Sequence, residues 1–310
     1  MSPAEHSGIA AEPPSTSNFQ EIKYEIQGQI AIVSLNRPKI RNPISRKTTE
    51  ELDNAFKAAA ADDAVKVIIL RGEGSCFSSG HDLGSPSRKD DKIISNLEAR
   101  GVRGTYEVWS SLDVEMCLKW RQLPKPIIAA VHGYVIFHAT ALVSICDLVV
   151  AAEGTKFMPT MLQYCSLPYD LGLNIRKAKE IMFTQRFMLA EELEQLGIVN
   201  RVVPLDKLMS EATALASLIC DRCDPFQLRM MKASANSMQD AAGFTTSLRY
   251  NLGYYATRRA SGNDEGASNV ADWRATKRMA PIAEGEQGES MYWSTTAPLS
   301  ASSKRGRSKL

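Results

Sequence analysis

One hydrophobic pattern occurs twice along the chain. Val65–Leu70 and Ile127–Val131 are short, nearly unbroken apolar runs rich in Val, Ile and Ala. Such runs lack the polar alternation of a half-exposed strand and predict strands covered on both faces. Each run breaks into a glycine-bearing loop, with Gly72, Gly74, Gly80 and Gly84 after the first and Gly133 after the second. Glycine lets the backbone turn sharply and approach a ligand closely. Beyond the second loop, Ala139–Cys146 is small and apolar and predicts the start of a buried helix. Amides at a helix start point outward with the positive end of the dipole behind them. Two such amides aimed at one carbonyl oxygen would form an oxyanion hole.

The other elements follow from the same kind of reading. Lys23–Ile26 and Ile30–Leu35 predict a hairpin across Gln27-Gly28-Gln29. Leu52, Ala55, Phe56 and Ala59 recur at helical spacing within Ser45–Ala61. The charged, turn-rich stretch 85–105 reads as a mobile flap beside the first loop. A helix over Tyr106–Gln122 carries Trp109, Leu112, Met116 and Trp120, and the burial habits of tryptophan favour packing for both indoles. Asp147–Ala152 is a further buried strand, with Asp147 placed to bond nearby backbone. From Leu205 to Arg259 the pattern is helical, with Leu208, Ala212, Leu215, Ala216 and Ile219 on one face. The expected boundaries are a disordered tail over 1–18, a core over 19–205, a helical region over 206–275 and a flexible tail over 276–310.

Composition narrows the function classes. The chain has 310 residues, 44% hydrophobic and 23% charged, as a globular protein with a substantial core would. A net charge of +2 gives no support for a nucleic-acid partner, which would ask for a clustered basic face. No apolar run is long enough to predict a membrane span. Six cysteines in a chain of this length point to a reducing compartment. Cys220 and Cys223 have the spacing of half a zinc site, but no second pair completes it, so no metal is expected. The N-terminal residues have neither a secretory h-region nor an Arg-rich presequence pattern.

Four segments carry a resemblance. Phe77-Ser78-Ser79-Gly80-His81-Asp82-Leu83 resembles the F-x-A-G-x-D-L element of the crotonase (enoyl-CoA hydratase/isomerase) superfamily. Pro124–Tyr134 is similar to its K-P-x-I-A-A-V-x-G segment, Leu189–Pro204 to a third element, and Leu35-Asn36-Arg37-Pro38 with Arg41-Asn42-Pro43 to its first loop. The four stand in the family's order and cover roughly residues 20 to 260. The resemblance implies an α/β fold, a crotonase-like ββα spiral core with a C-terminal helical trimerisation region. It further implies an acyl-CoA thioester as substrate, coenzyme A as part of that substrate with no separate cofactor, and a homotrimer or dimer of trimers.

Site residues follow from matching these segments. The oxyanion amides would be those of His81 and His138, and His81, Asp82, Leu83, Gly84 and His138 would bind substrate. His138 stands where the superfamily usually carries glycine, with Phe137 and Ala139 at flanking glycine positions. A backbone N–H is all the hole requires, so a side chain is permitted where φ stays negative. Ala141 occupies the place of the first hydratase glutamate, and Thr160 and Met161 lie near the second, so neither acid is present. Asp170 stands where dienoyl-CoA isomerases carry an acidic residue. It also precedes a helix-compatible run from Asn174 to Met182, where Asp is a favoured N-cap. His81, His132 and His138 all fall in the two loops, and histidine suits proton transfer near neutrality. Within the family the side chain after Gly80 tends to point away from substrate, which favours His138. The catalytic candidates are therefore Asp170 and His138.

The leading expectation is a lyase or isomerase that holds a thioester enolate on two amides and moves a proton with one carboxylate. One alternative is a crotonase-fold hydrolase of a thioester or carbon–carbon bond using a His/Asp pair. The other is a non-catalytic acyl-CoA binder.

The chain ends in Ser308-Lys309-Leu310, the tripeptide read by the peroxisomal import receptor. Peroxisomal residence follows as an expectation. A fluorescent protein fused to the N-terminus should be found in peroxisomes, and deletion of Ser308, Lys309 and Leu310 should leave it diffuse in the cytosol. Microscopy of the two fusions checks this.

Overall fold

The computed structural model describes residues 18–158, 175–184 and 187–260. The expected hairpin forms as β1 (Ile22–Gln27) and β2 (Ile30–Leu35), antiparallel, with Ile22 opposite Leu35. The strands β3 (Val67–Gly72), β4 (Ile127–Val131), β6 (Leu148–Ala152) and β9 (Arg201–Val203) then add in parallel, in the order β1-β2-β3-β4-β6-β9. A second sheet pairs β5 (Tyr134–Ile136), β7 (Lys156–Met158) and β8 (Met188–Leu189). The chain thus sends β4 and β6 to the large sheet and their immediate successors β5 and β7 to the small one. That is the ββα spiral.

Both faces of the large sheet are covered, which is why its strands lack alternation in sequence. On one face Val33, Leu70, Ala129 and Ala151 pack with Leu52, Ala55, Phe56 and Ala59 of α1 (Arg46–Ala61). On the other, Ile32, Ile69, Ile128 and Val150 meet Leu208, Ala212, Ala216 and Cys220 of α9 (Leu208–Arg222). Phe56 is wholly buried, worth about 2–3 kcal/mol relative to exposure. Capping sets the helix starts: Ser45 and Thr48 form a capping box on α1. The C-terminal part is helical as expected: after α7 (Ile175–Thr184) and α8 (Ala190–Gln195), α9 is followed by α10 (Pro225–Ala241) and α11 (Phe244–Ala260).

The stretch expected as a flap is instead helical. It holds α2 (Pro86–Lys89), α3 (Lys92–Glu98) and the start of α4 (Val102–Trp109). Its turn-forming residues serve as helix starts: Pro86 opens α2, and Asp91 caps α3 by accepting from the amides of Ile93 and Ile94, each at 3.1 Å. The helix beyond α4 passes through a π turn (Ser110–Val114) into α5 (Glu115–Arg121). Trp120 packs edge-on to Phe56 at 5.3 Å and donates to Asp53 of α1 at 3.1 Å. No helix among the described residues is long and apolar enough to cross a membrane. Residues 1–17 and 261–310, and with them Ser308, Lys309 and Leu310, lie outside the described residues.

Asp147 accepts from the Ile127 amide at 2.7 Å, the backbone role read from the sequence, and from Lys232 of α10 at 2.7 Å. Burial pushes the Asp147 carboxyl above its ordinary value even with Lys232 opposing it. Lys232→Met should therefore cost about 1–2 kcal/mol, because it removes the ammonium partner of a carboxylate whose side chain is still 21% exposed and keeps its bond from the Ile127 amide. Urea unfolding of the two proteins measures the difference.

Candidate active site

The two glycine-bearing loops lie against each other, joined by backbone hydrogen bonds. The Phe77 amide donates to His132 O at 2.8 Å, Ser78 to Tyr134 O at 3.0 Å, and Ile136 back to Ser78 O at 3.2 Å. Asn42, in the Arg41-Asn42-Pro43 segment, brackets the loop after β3: its side-chain amide donates to the carbonyls of Glu73, Cys76 and Phe77 at 2.7, 3.0 and 3.2 Å. The Ser78 hydroxyl donates to Asn42 O at 2.7 Å and accepts from the Gly80 amide at 3.1 Å.

Gly80 has φ +86°, and a Cβ there would sit 2.5 Å from Ile136 O. Only glycine allows the loops to close this far. Phe137 carries φ +50°, a sparsely populated conformation for a bulky residue. Its amide donates to Met158 O at 2.8 Å, and its carbonyl accepts from Thr140 and Ala141 as α6 (His138–Ser144) begins. The strained φ falls on Phe137, so His138 opens the helix in ordinary backbone geometry.

His81 and His138 are thereby brought together. Their rings stack with centroids 4.6 Å apart and planes 9° apart, and Trp109 meets His81 edge-on at 4.5 Å. His138 is 1% exposed, whereas His81 is half-buried and lines a cleft of about 40 Å³ with Ile44, Trp109 and Asp113. Trp109 therefore borders the site, while Trp120 packs in the core. His132 stands apart: its Nε2 bonds Gly74 O at 2.8 Å and helps hold the first loop. Asp82, expected to bind substrate, is buried and ties the loop. Its carboxylate accepts from Arg37 at 2.7 Å, from the Ser85 amide at 2.9 Å and from the Ser85 hydroxyl. Burial alone would raise this carboxyl, but the bonds from Ser85 and Arg37 outweigh it and hold it below its ordinary value. Leu83 and Gly84 are exposed beside it.

Asp113 is the residue the sequence reading missed. It sits in the π turn, 4% exposed, with Oδ1 3.5 Å from His138 Nε2. A signal was present: Asp113 lies four residues after Trp109 and three before Met116, a carboxylate on the apolar stripe of its helix. His81, Asp113 and His138 each bring one donor atom within 4.8 Å of the others, a transition-metal donor set by type. Imidazole lone pairs lie in the ring plane, however, and two stacked, near-parallel rings do not aim them at one ion. The array has the chemistry of an acid–base cluster instead.

Ala141, which the sequence match sets at the first glutamate position, is buried among Val114, Leu118, Phe244, Leu248 and Leu252. That wall is apolar. Asp170, Thr160 and Met161 lie outside the described residues.

Paired loops at the ends of parallel strands, laced so that a post-glycine residue meets a helix start, define a crotonase-type spiral. The enoyl-CoA hydratase/isomerase family model matches residues 25–256. EchA13 of Mycobacterium tuberculosis, whose name places it among the enoyl-CoA hydratases, is 32% identical over 292 residues, 85% of this chain and 91% of that protein. Among solved structures, a probable enoyl-CoA hydratase from Mycobacterium thermoresistibile is 38% identical with a TM-score of 0.68, covering 80% of this chain and 99% of that one. An enoyl-CoA hydratase/isomerase from Xanthobacter autotrophicus Py2 is 29% identical with a TM-score of 0.73, covering 85% of this chain and 96% of that one. The chain belongs to the enoyl-CoA hydratase/isomerase family and is an enzyme of that class.

Burial pushes the His138 imidazole well below the usual histidine value, and His81 acts in the same direction; burial also lowers His132. The folded chain thus resists a proton that the unfolded chain accepts near pH ~6.5. Stability from these groups is full above that pH and is lost as pH falls below it. Tm should fall between about pH 7.5 and about pH 5.5, and fall less in His138→Phe, which keeps the stack without the titrating ring. Scanning calorimetry across the range measures both slopes.

Proposed function

We propose that the protein acts on an acyl-CoA thioester and stabilises its enolate with the backbone amides of His81 and His138. The observation that carries this reading is the lacing of the two loops, which sets the residue after Gly80 against the first residue of α6. As the α-proton leaves, its electron pair moves toward the thioester oxygen, and amides aimed there lower the barrier most at the transition state. Asp170 is the carboxylate that moves the proton. One such group suffices for isomerisation; hydration asks for a second. Coenzyme A enters as part of the substrate, and the chemistry needs no other cofactor.

A second reading, hydrolysis of a thioester or of a carbon–carbon bond by a His/Asp pair, gains support from the approach of Asp113 to His138. Residence in peroxisomes through Ser308-Lys309-Leu310 and its import receptor, and assembly as a homotrimer or dimer of trimers through the C-terminal helices, complete the proposal. The exposed Phe226, Met230, Met231 and Met238 of α10 suit such an assembly.

Asp170→Asn separates catalysis from capping, since Asn caps a helix about as well. If Asp170 moves the α-proton, turnover of enoyl-CoA thioesters and deuterium wash-in should fall by about two to four orders of magnitude with Tm nearly unchanged. An equally active Asn variant would assign the proton to another group. Release of free CoA by the wild type would favour the hydrolase.

A further inference from the structure

The cleft at His81 begins at one of the two amide-bearing residues and is small. Its volume is about 40 Å³, whereas ligand cavities run to several hundred. A water-sized group takes roughly 10–15 Å³ of such space, so about three fit. Ile44, Ile94, Val108 and Leu112 give the cleft hydrocarbon walls. Its arginines are already engaged, Arg46 lying 2.8 Å from Asp91 and Arg88 2.8 Å from Glu98. Asp113 also lines it, and a carboxyl group offers phosphates no counter-charge. A thioester carbonyl resting on the amides extends its acyl chain to one side and the CoA sulfur to the other. Beyond its sulfur, CoA is polar and anionic. The cleft therefore suits the acyl chain.

Trp109 sets the size of this space. Its ring meets His81 edge-on with centroids 4.5 Å apart, and the same side chain packs against the cluster of Val114, Leu118, Phe244 and Leu248. His81 is backed in turn by the ring of His138, stacked at 4.6 Å and 1% exposed. An indole wedged between a two-ring stack and an apolar cluster cannot swing aside without opening packed contacts, which a close-packed interior resists. The indole is thus a fixed wall of the cleft. Methylenes pushed against such a wall meet the cost of overpacking instead of gaining the burial that open apolar space would give.

We propose that Trp109 is a specificity-determining residue that closes the cleft beside the His81 amide and restricts the protein to short-chain acyl-CoA thioesters. The limit is about four carbons in the acyl group, the carbonyl carbon and the roughly three groups that the cleft admits. This rests on the acyl-CoA reading above and concerns which thioester is bound, whatever reaction follows.

The test is isothermal titration calorimetry of the full chain with saturated thioesters from acetyl- to decanoyl-CoA, which reads chain length without turnover. In the wild type, affinity should rise from acetyl- to butanoyl-CoA and then level off or fall. In Trp109→Ala it should keep rising, about tenfold between butanoyl- and hexanoyl-CoA, with acetyl-CoA affinity within about threefold of wild type. A merely structural role would weaken binding of all the thioesters alike. Wild-type affinity that climbs steadily to decanoyl-CoA overturns the proposal, and so does a Trp109→Ala protein with the wild-type chain-length profile. If Trp109→Ala does not fold, the smaller ring of Trp109→Phe decides: hexanoyl-CoA gains on butanoyl-CoA in that variant, or the proposal falls. A wild type that binds the thioesters but fails on length overturns the proposal alone. One that binds neither CoA nor any thioester removes the acyl-CoA reading with it.

Discussion

The site depends on one set of contacts, the backbone hydrogen bonds that lace the loop after β3 to the segment from β4 into α6. Parallel strands alone would place the two loops at the same sheet edge without fixing their separation. The bonds from Phe77 and Ser78 fix it, and Asn42 holds the first loop in the shape that can make them. Two conformational costs follow. Gly80 must lack a side chain, and Phe137 must adopt a positive φ that costs about 1–3 kcal/mol. The second cost is offset by Phe137's own bonds, to Met158 on one side and to the first turn of α6 on the other.

The site's walls differ in character. The wall around Ala141, the residue that the sequence match sets at the first glutamate position, is apolar, with Ala141 packed under Phe244, Leu248 and Leu252 of α11. A carboxylate at that position would be buried among hydrocarbon without a water-filled space to serve it. The polar groups gather next to it, where Asp113, the neighbour of Val114, meets His138 and His81.

The fold was legible because its strands are covered on both sides, so Val67–Leu70 and Ile127–Val131 show as bare apolar runs. The hairpin and the stripe Leu208, Ala212, Ala216 were equally plain. The helices α2 and α3 were not, because Pro86 and Asp91 are turn formers in isolation and helix starters only when a helix follows. The two amide-bearing loops could be paired from glycine placement and family resemblance. The stacking of His81 on His138 could not, since it depends on the strain at Phe137, which no residue pattern announces. Asp113 was hidden for a different reason. A single carboxylate in a helix reads as solvent-facing unless its phase is checked against Trp109 and Met116.

The π turn at Ser110–Val114 joins two helices with separate anchorages. Val114 and Leu118 touch Phe244, Leu248 and Leu252 of α11, while Trp120 is fastened to Asp53 and Phe56 of α1. A π turn holds one residue more than an α turn, so it slips the helix phase by roughly 100°. That slip lets one rod satisfy two docking surfaces whose angular positions would not otherwise agree. It also makes Asp113 the joint between them. The packing of α11 on Val114 and the fastening of Trp120 to α1 thus together fix where the Asp113 carboxylate lies beside the stacked histidines.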